Sequence, residues 1–302
     1  MTRTEEFEEL RPLLFSIAYR ILGSVSEAED AVQESWLRYQ AAGSEPESAK
    51  AFLSTVVTRI SIDVLRSARV RREEYAGPWL PEPLLTDPYE DPARSAELAD
   101  SLSTAALLLL ERLSPLERAV FVLREVFAFD FPAIASAVGR SEAACHQLAV
   151  RARRHMNAGR TRFEAGRRER EELAERFFGA FREGDVDALT ELLAADVRMI
   201  GDSGGKAPRF QPVVSGAEQV AGVLAVFVPL VVRGAGAVEP RQVNGRPGAV
   251  FRDREGQVLS TWALDVRDGR LQTIHAVNNP DKLRHIGPPA DAWAALREAT
   301  GD

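Results

Sequence analysis

The sequence predicts a multidomain protein in which two all-α domains, the second with a helix-turn-helix, are followed by an α+β domain. Three observations support this prediction. Apolar residues recur at helical spacing up to about residue 75 and again between residues 96 and 157. A proline-rich segment separates these two helical stretches. After residue 170 the pattern changes to two helices, a strand, a further helix and a series of strands.

The composition excludes several classes of protein. The chain has 302 residues, of which 45% are hydrophobic and 27% charged, so two or three packed domains are expected. The acidic start, MTRTEEFEEL, is unlike a signal peptide, and the longest apolar stretch, Val220–Val232, is shorter than the ~20 residues of a membrane span. The single cysteine, Cys145, excludes an internal disulfide, and the histidines show no ligand spacing. We expect a cytoplasmic protein without a membrane span, metal or cofactor.

Three helices are expected in the first domain, residues 1–75. The second helix begins in GSVSEAED, where Ser24 with Glu27, or Ser26 with Glu29, can form a capping box. A polar loop over residues 43–48 leads to a third, long helix. The side chains predicted to face inward are, in the first helix, Phe7, Leu10, Leu14, Ile17 and Ile21 and, in the third, Phe52, Val56, Val57, Ile60 and Val64.

A linker over residues 76–95 separates the helical domains. Its sequence AGPWLPEPLLTDPYEDP holds five prolines, which exclude a helix and favour an extended chain. The linker is also apolar at Trp79, Leu80, Leu84 and Leu85, so part of it is expected to dock on a neighbouring domain. The alternative is a proline-rich spacer with incidental apolar residues.

The second helical domain, residues 96–160, carries the pattern of a helix-turn-helix. Gly139 can take the left-handed conformation that a tight turn needs, and Ala135 is small where the two helices cross. In the helix that follows, Cys145, Leu148 and Ala149 share one face with Ala152. The opposite face holds Ala143, His146, Gln147, Val150, Arg153 and Arg154.

Positive charge is concentrated on this last helix although the whole chain has a formal net charge of -7. Attraction to phosphate is local, so an acidic total does not prevent DNA binding by one basic face. His146 and Gln147 are placed to reach base edges, and Arg153 and Arg154 to contact phosphates. The alternative is a solvated, arginine-rich helix of an all-α domain.

Three segments in this order resemble the two conserved regions of bacterial extracytoplasmic-function (ECF) sigma factors. They are SEAEDAVQESWLRYQ, FLSTVVTRISIDVLRSARVRRE and SPLERAVFVLREVFAFDFPAIASAVGRSEAACHQLAVRARRHM, and the resemblance covers about residues 5–158. It implies that residues 1–75 bind the β′ clamp helices of core RNA polymerase and the minus-10 promoter element. It also implies that residues 96–160 bind the β flap and the minus-35 element of promoter DNA.

The same resemblance assigns roles to individual residues. The core-polymerase contacts it implies are Asp30, Gln33, Glu34 and Trp36. The minus-10 contacts are Arg59, Asp63, Arg66 and Arg69, and the loop over residues 43–48 is where an unstacked base is captured. The minus-35 contacts are Ser141, Ala143, His146, Gln147, Arg151, Arg153 and Arg154. Ala133 stands where many relatives have Glu, which removes one polar contact of this domain.

Two of these assignments have structural alternatives. Trp36 can belong to the local core instead of the polymerase contact. Asp63 can be no more than an ion-pair partner of Arg59 or Arg66, which lie four residues before it and three after it.

The C-terminal part resembles a SnoaL-like domain of the NTF2-like superfamily, a cone of curved sheet packed by helices. We place it at residues 168–286, followed by a tail at 287–302. The segments WLPEPL, DSGGK and NPDKL resemble the signature of the sigma-factor subgroup with this extension, with Ser203 where Gly is usual. The resemblance implies regulation in cis, and we expect WLPEPL and NPDKL to meet. The residues expected to serve this regulation in cis are Trp79, Leu80, Pro81, Asp202, Lys206, Asn279, Pro280, Asp281, Lys282 and Leu283.

Alternatives remain for both parts of the chain. The helical part can be a helix-turn-helix regulator that binds DNA without polymerase. The SnoaL-like domain can hold an unknown small-molecule ligand, or act as an enzyme with Asp202, Asp265 and His275 as acid and base. We expect no catalysis, because the sequence does not show that these three groups converge.

Overall fold

The computed structural model describes residues 2–44, 46–73, 75–89, 91, 95–159, 166–208, 212–233 and 236–300. The chain divides into two compact units. The N-terminal unit comprises Met1–Glu74 and Asp87–Arg160, and the C-terminal unit comprises Tyr75–Thr86 and Thr161–Asp302. The first part of the proline-rich linker therefore belongs to the C-terminal unit, and we call Tyr75–Thr86 the docked linker.

Three helices form the first part of the N-terminal unit, as predicted. They are α1 (Arg3–Leu22), α2 (Val25–Gln40) and α3 (Ala49–Glu73). Gly23 ends α1 with a φ of 70°, and Ser24 caps α2 by accepting the amide of Glu27, so the N-cap of the first predicted alternative is confirmed.

The buried face of α3 is rotated relative to the prediction. Leu53, Val57, Ile62 and Leu65 are buried together with hydroxyl side chains, whereas Phe52, Val56, Ile60 and Val64 are only half-buried. Leu10 of α1 is likewise half-buried. The reason for α3 is that it packs against α1 and α2 on one side and against the later helices on the other, so apolar residues are needed on two faces.

Five helices follow in the same unit. They are α4 (Ser95–Leu102), α5 (Thr104–Leu110), α6 (Pro115–Phe121) with a π-helical continuation over Val122–Val126, α7 (Phe131–Val138) and α8 (Glu142–Gly159). Ser114 and Glu117 form the predicted capping box of α6. Gly139 joins α7 to α8 with a φ of 64°, and the predicted inward face of α8 is buried. The helix-turn-helix prediction is confirmed.

The C-terminal unit is the predicted α+β domain. It contains α9 (Arg167–Glu183), α10 (Val186–Glu191), β1 (Leu193–Asp202), β2 (Val213–Ser215), α11 (Ala217–Arg233), β3 (Ala237–Val243), β4 (Arg246–Arg252), β5 (Val258–Arg267), β6 (Arg270–Val277) and α12 (Ala292–Thr300). The strand order is β2-β1-β6-β5-β4-β3, and β1 and β6 are parallel whereas the other neighbours are antiparallel. Part of the region predicted as a tail is therefore helical.

Two hairpins build the antiparallel part of this sheet. The predicted turn between β5 and β6 has Asp268 and Gly269 at φ values of 52° and 66°. The turn between β3 and β4 was not predicted, although its Asn244-Gly245 pair, also at 52° and 66°, is a strong hairpin signal. Pro240 is tolerated in β3 because this strand lies at the edge of the sheet.

An aromatic cluster fills the space between the sheet and its helices. Phe251 and Phe227 lie 4.7 Å and 5.2 Å from Trp262, measured between ring centroids, and Phe181 lies at 5.6 Å. Phe177 and Phe178 are also buried there. Within the described residues, no helix combines the length and the apolar character needed to cross a bilayer.

Candidate functional site

The outward face of α8 is accessible. All seven residues assigned to minus-35 contacts are exposed, from Ser141 to Arg154. Ser141 also caps α8 by accepting the amide of Ala144 at 3.3 Å. The ring of His146 stacks on Phe131 of α7 at 3.5 Å between centroids, which fixes the direction of this imidazole.

The arginines of α8 fall into two groups. Arg151 pairs with Glu117 at 2.9 Å and Arg153 with Glu125 at 2.8 Å, so both are held by acidic residues of α6 and its π-helical continuation. Burial opposes ionisation of Glu117, but hydrogen bonds from Ser114 and Arg151 outweigh it and lower its pKa. Arg154 has no ion-pair partner among the described residues. Of these three arginines, Arg154 therefore has the guanidinium that is most readily available to a phosphate.

The α2 face assigned to polymerase contacts is partly exposed. Asp30 and Gln33 are exposed, whereas Glu34 and Trp36 are half-buried. Trp36 packs on Phe7 at 4.8 Å between ring centroids, so it belongs to a local aromatic cluster although it is only half-buried. Glu34 pairs with Arg38 at 2.9 Å. Leu37, which the sequence analysis did not select, is also exposed here.

The minus-10 candidates of α3 make different contacts from one another. Arg59 donates to the backbone carbonyls of Ser136 at 2.7 Å and Ala137 at 3.1 Å, at the C-terminus of α7. Asp63 pairs with Arg66 at 3.0 Å, so of its two predicted partners the structure selects Arg66. The side chain of Arg69 lies outside the described residues, as does residue 45 of the loop over 43–48.

A buried arginine that the sequence analysis missed joins three segments of the N-terminal unit. Arg20 of α1 is fully buried, and it donates to Asp87 Oδ2 at 2.8 Å, to the carbonyl oxygen of Leu98 at 3.0 Å and to Ser101 Oγ at 2.9 Å. Its guanidinium also lies 5.4 Å from the ring centroid of Phe127. Asp87 follows the docked linker directly, and Leu98 and Ser101 belong to α4.

A buried ion pair holds the docked linker on the C-terminal unit. Lys282 Nζ lies 2.7 Å from Asp202 Oδ2 and donates to the Leu80 carbonyl oxygen at 2.5 Å. The amide of Leu80 donates to the same carboxylate oxygen at 2.8 Å. The ammonium also faces the rings of Trp79 and Tyr75, at 4.4 Å and 4.8 Å from their centroids. Residues of WLPEPL, DSGGK and NPDKL thus meet around one carboxylate.

Tyr75 and Asn279 complete this arrangement. The Tyr75 hydroxyl donates to Asp202 Oδ1 at 2.5 Å and accepts from Asn279 Nδ2 at 2.7 Å. Burial, together with the hydrogen bond to the Asp202 carboxylate, raises the pKa of Tyr75 far above its ordinary value. The hydroxyl therefore remains a donor at any physiological pH.

The second half of the docked linker pairs with the β3–β4 turn. The amide of Asn244 donates to the Leu84 carbonyl oxygen at 2.7 Å, and a ring nitrogen of His285 contacts the Pro83 carbonyl oxygen at 2.6 Å. Pro81 and Leu283 are buried, and Pro280 is half-buried. Lys206 and Asp281 pair with each other in an exposed position. No described hydrogen bond connects Lys206 or Asp281 to the linker.

Gly204 should be intolerant of a side chain because the Asn279 side chain lies so close to it. Its φ is 56°, and an added Cβ would lie 2.3 Å from Asn279 Nδ2. We expect Gly204→Ala to destabilise the C-terminal unit by more than the ~1–3 kcal/mol of backbone strain alone, measured by thermal unfolding. Gly184→Ala is the control, since its φ is 74° but no atom lies within 4 Å of the added Cβ. Equal losses in the two variants would show that the contact with Asn279 is unimportant.

Two of the three residues considered for catalysis converge. His275 Nε2 lies 2.9 Å from Asp265 Oδ2. Although burial opposes ionisation, the hydrogen bond with His275 and nearby arginines lower the pKa of Asp265. Both residues alternate with core residues such as Leu264 and Ile274, so they face away from the aromatic cluster. Asp202 is engaged by the docked linker instead.

One cavity of about 200 Å³ lies beside the docking segments of the C-terminal unit. It is lined by Lys206, Ala207, Val258, Leu259, Asn278, Pro280, Leu283, Ala290, Asp291 and Ala292. The space between sheet and helices, where a cone-shaped domain would enclose a ligand, is occupied by the aromatic cluster. Among the described residues, no three His, Cys, Asp or Glu side chains are grouped so that they could hold a metal ion.

Comparison with known proteins identifies the family. Residues 7–71 match Sigma-70 region 2, and residues 103–156 match Sigma-70 region 4. The chain is 39% identical over 287 residues to the ECF RNA polymerase sigma factor SigJ of Mycobacterium tuberculosis, covering 92% of each chain. It is 31% identical over 280 residues to the probable ECF sigma factor SigI of the same species, covering 90% of this chain and 92% of that one.

A solved structure supports the same assignment over 95% of this chain. The crystal structure of Mycobacterium tuberculosis SigJ matches with a TM-score of 0.73 and 35% identity, covering 95% of this chain and 100% of that chain. The predicted order of two all-α sigma domains followed by an α+β domain is therefore confirmed. The chain belongs to the extracytoplasmic-function RNA polymerase sigma factors.

Proposed function

We propose that this sigma factor binds core RNA polymerase through α2 and the α4–α8 domain, and that its C-terminal unit regulates it in cis. The exposed Asp30 and Gln33, together with the half-buried Glu34 and Trp36, suit a basic partner helix such as those of the β′ clamp. The β flap is the proposed partner of the second helical domain. Capture of purified core polymerase by the full-length chain tests this proposal and excludes a regulator that binds DNA alone.

The outward face of α8 is the proposed minus-35 contact. It is basic, exposed and supported by a buried opposite face, which is the arrangement of a recognition helix in the major groove. His146 and Gln147 lie near the N-terminus of α8, where base edges are reached. Their substitution should change which minus-35 sequence is preferred. For the minus-10 element, Arg59, Asp63, Arg66 and Arg69 of α3 are the proposed contacts.

Arg154→Ala should weaken promoter binding almost uniformly across sequences. Because Arg154 is unpaired among the described residues, it can neutralise one phosphate without breaking an ion pair. The slope of log affinity against log salt should fall by about one. Arg151→Ala is the comparison, and it should change the slope less because its guanidinium is already paired with Glu117. An unchanged slope for Arg154→Ala would remove this residue from the phosphate contacts.

Regulation in cis is proposed to act through the linker. The C-terminal unit holds residues 75–86, and the next residue, Asp87, is bound by the buried Arg20. Arg20 also holds α4, and Arg59 is bound to the end of α7. A minus-10 candidate is thus engaged by the helix-turn-helix domain. The observation that carries this proposal is the continuity between the docked linker and the Arg20 contacts.

The contacts of Arg20 and Arg59 must break before both promoter elements can be bound. Two DNA sites such as these promoter elements are already ~34 Å apart when a single helical turn separates them. Between Asp87 and the start of α4 only residues 88–94 remain, which span at most ~25 Å. A linker released over residues 74–94 can span ~70 Å. Releasing the linker therefore allows the two helical domains to separate.

Asp87→Ala tests this proposal in the full-length protein. Losing a buried hydrogen bond to a charged group costs ~1.5–3 kcal/mol, so the separated form should gain at least about tenfold in population. Multi-round transcription at limiting sigma factor should then increase. Asp187→Ala, an exposed aspartate of α10, is the control. Unchanged transcription by Asp87→Ala would contradict the regulatory role of the Arg20–Asp87 contact.

A small-molecule ligand of the C-terminal unit is a second candidate, supported by the 200 Å³ cavity. Lys206, Pro280 and Leu283 line this cavity and belong to the segments that hold the linker. A ligand bound in this cavity would therefore lie next to the contacts that dock the linker.

Turnover by the Asp265–His275 pair is tested by screening substrates with wild-type protein and His275→Ala.

A further inference from the structure

Val150 is a large apolar side chain that α8 does not bury. Its exposed fraction is 53%, whereas Leu148, Ala149 and Ala152 on the same helix are buried. Helix formation does not explain its presence, since a β-branched residue is a weaker helix former than most alternatives. Packing within the domain does not explain it either, because its side chain points away from the buried face.

The position of Val150 on α8 is central to the outward face. Successive residues of an α-helix are rotated by about 100° about its axis. This rotation places four residues in one stripe directly opposite the buried face, namely Ala143, Gln147, Val150 and Arg154, and all four are exposed. The paired arginines Arg151 and Arg153 lie on either side of this stripe. Val150 therefore lies between an amide suited to base edges and a guanidinium suited to phosphate.

We propose that Val150 contacts the C5-methyl group of a thymine in the minus-35 element and thereby helps to determine promoter specificity. The thymine methyl is the apolar group that the major groove offers, and apolar side chains recognise it by direct contact. A valine presents two methyl groups at this point, and burying one methyl-sized group is worth about fourfold in affinity. The inference rests on the proposed role of α8 as the minus-35 contact.

The test uses core RNA polymerase with the full-length sigma factor, because the promoter is not known in advance. Duplexes are first selected from a random pool by the wild-type holoenzyme. Each thymine of the selected minus-35 element is then replaced by deoxyuridine, which removes only the C5-methyl group. We expect one replacement to weaken wild-type binding about fourfold, and the same replacement to leave the binding of Val150→Ala unchanged within error.

A control variant and the expected normal folding of the test variant keep the outcomes separate. Val226→Ala removes an equally exposed valine, at 51%, from α11 of the other unit and should behave like the wild type. Val150→Ala should fold normally, since alanine is the better helix former. If the holoenzyme selects no element, the proposed function itself is wrong. If an element is selected but no thymine is sensitive, or Val150→Ala keeps the sensitivity, the inference about Val150 is wrong.

Discussion

Lys282→Met is expected to lower the free energy of unfolding of the C-terminal unit by about 3–5 kcal/mol. The substitution keeps most of the side-chain volume but leaves the Asp202 carboxylate buried without its cation. It also removes the hydrogen bond to the Leu80 carbonyl oxygen, so the docked linker should be released. Chemical denaturation measures the first effect, and limited proteolysis within residues 75–86 measures the second.

Lys206→Met is the matched control for this prediction. Lys206 pairs with Asp281 in the same region, but both side chains are exposed, so the loss should be at most about 1 kcal/mol. Similar losses in the two variants would mean that the buried pair does not anchor the linker. Proteolysis of the linker should increase in Lys282→Met only.

Arg20→Met is expected to destabilise the N-terminal unit by a comparable ~3–5 kcal/mol. Arg20 is fully buried and its loss leaves Asp87, Ser101 and the Leu98 carbonyl without their shared donor. Part of this loss should appear as separation of α4 from α1 before global unfolding. Hydrogen exchange of the α4 amides, compared with those of α1, distinguishes the two processes.

Arg11→Met on the same helix is the control for Arg20→Met. Arg11 pairs with Glu29 at 2.5 Å, but both side chains are about half exposed. Water already solvates such a pair, so its removal should cost at most about 1 kcal/mol. If Arg20→Met were as mild as Arg11→Met, the buried arginine would not hold the helical domains together.

Local signals in the sequence predicted the helices and the recognition element well. The capping box at Ser114 and the turn at Gly139 each depend on a few neighbouring residues, so the sequence contains all the information that forms them. The buried face of α3 was predicted less well because this helix packs on two sides. The Asn244-Gly245 hairpin was missed although its signal is local, and Asn244 proved to be a docking residue for the linker.

Long-range polar contacts were the least predictable part of the site. Arg20 stands in FSIAYRILG, where a single arginine in an apolar helix is a weak sign of burial, and its partner Asp87 is 67 residues away. The Asp202–Lys282 pair spans 80 residues. From the sequence we expected WLPEPL to meet NPDKL, but only the fold specifies which atoms bond. The Asp202–Lys282 pair depends on the sheet that places β1 beside β6, and no local pattern encodes that pairing.

The distance between the two helical domains in solution shows whether the Arg20 and Arg59 contacts hold these domains together in the free protein. Labels at Glu9→Cys in α1 and Asn157→Cys in α8 report it by energy transfer, because Cys145 is buried and both label positions are exposed. We expect a short distance in the free wild-type protein. The distance should be longer in free Asp87→Ala, and it should also be longer when the wild-type protein binds core polymerase. A distance that stays the same in all three samples would contradict this expectation.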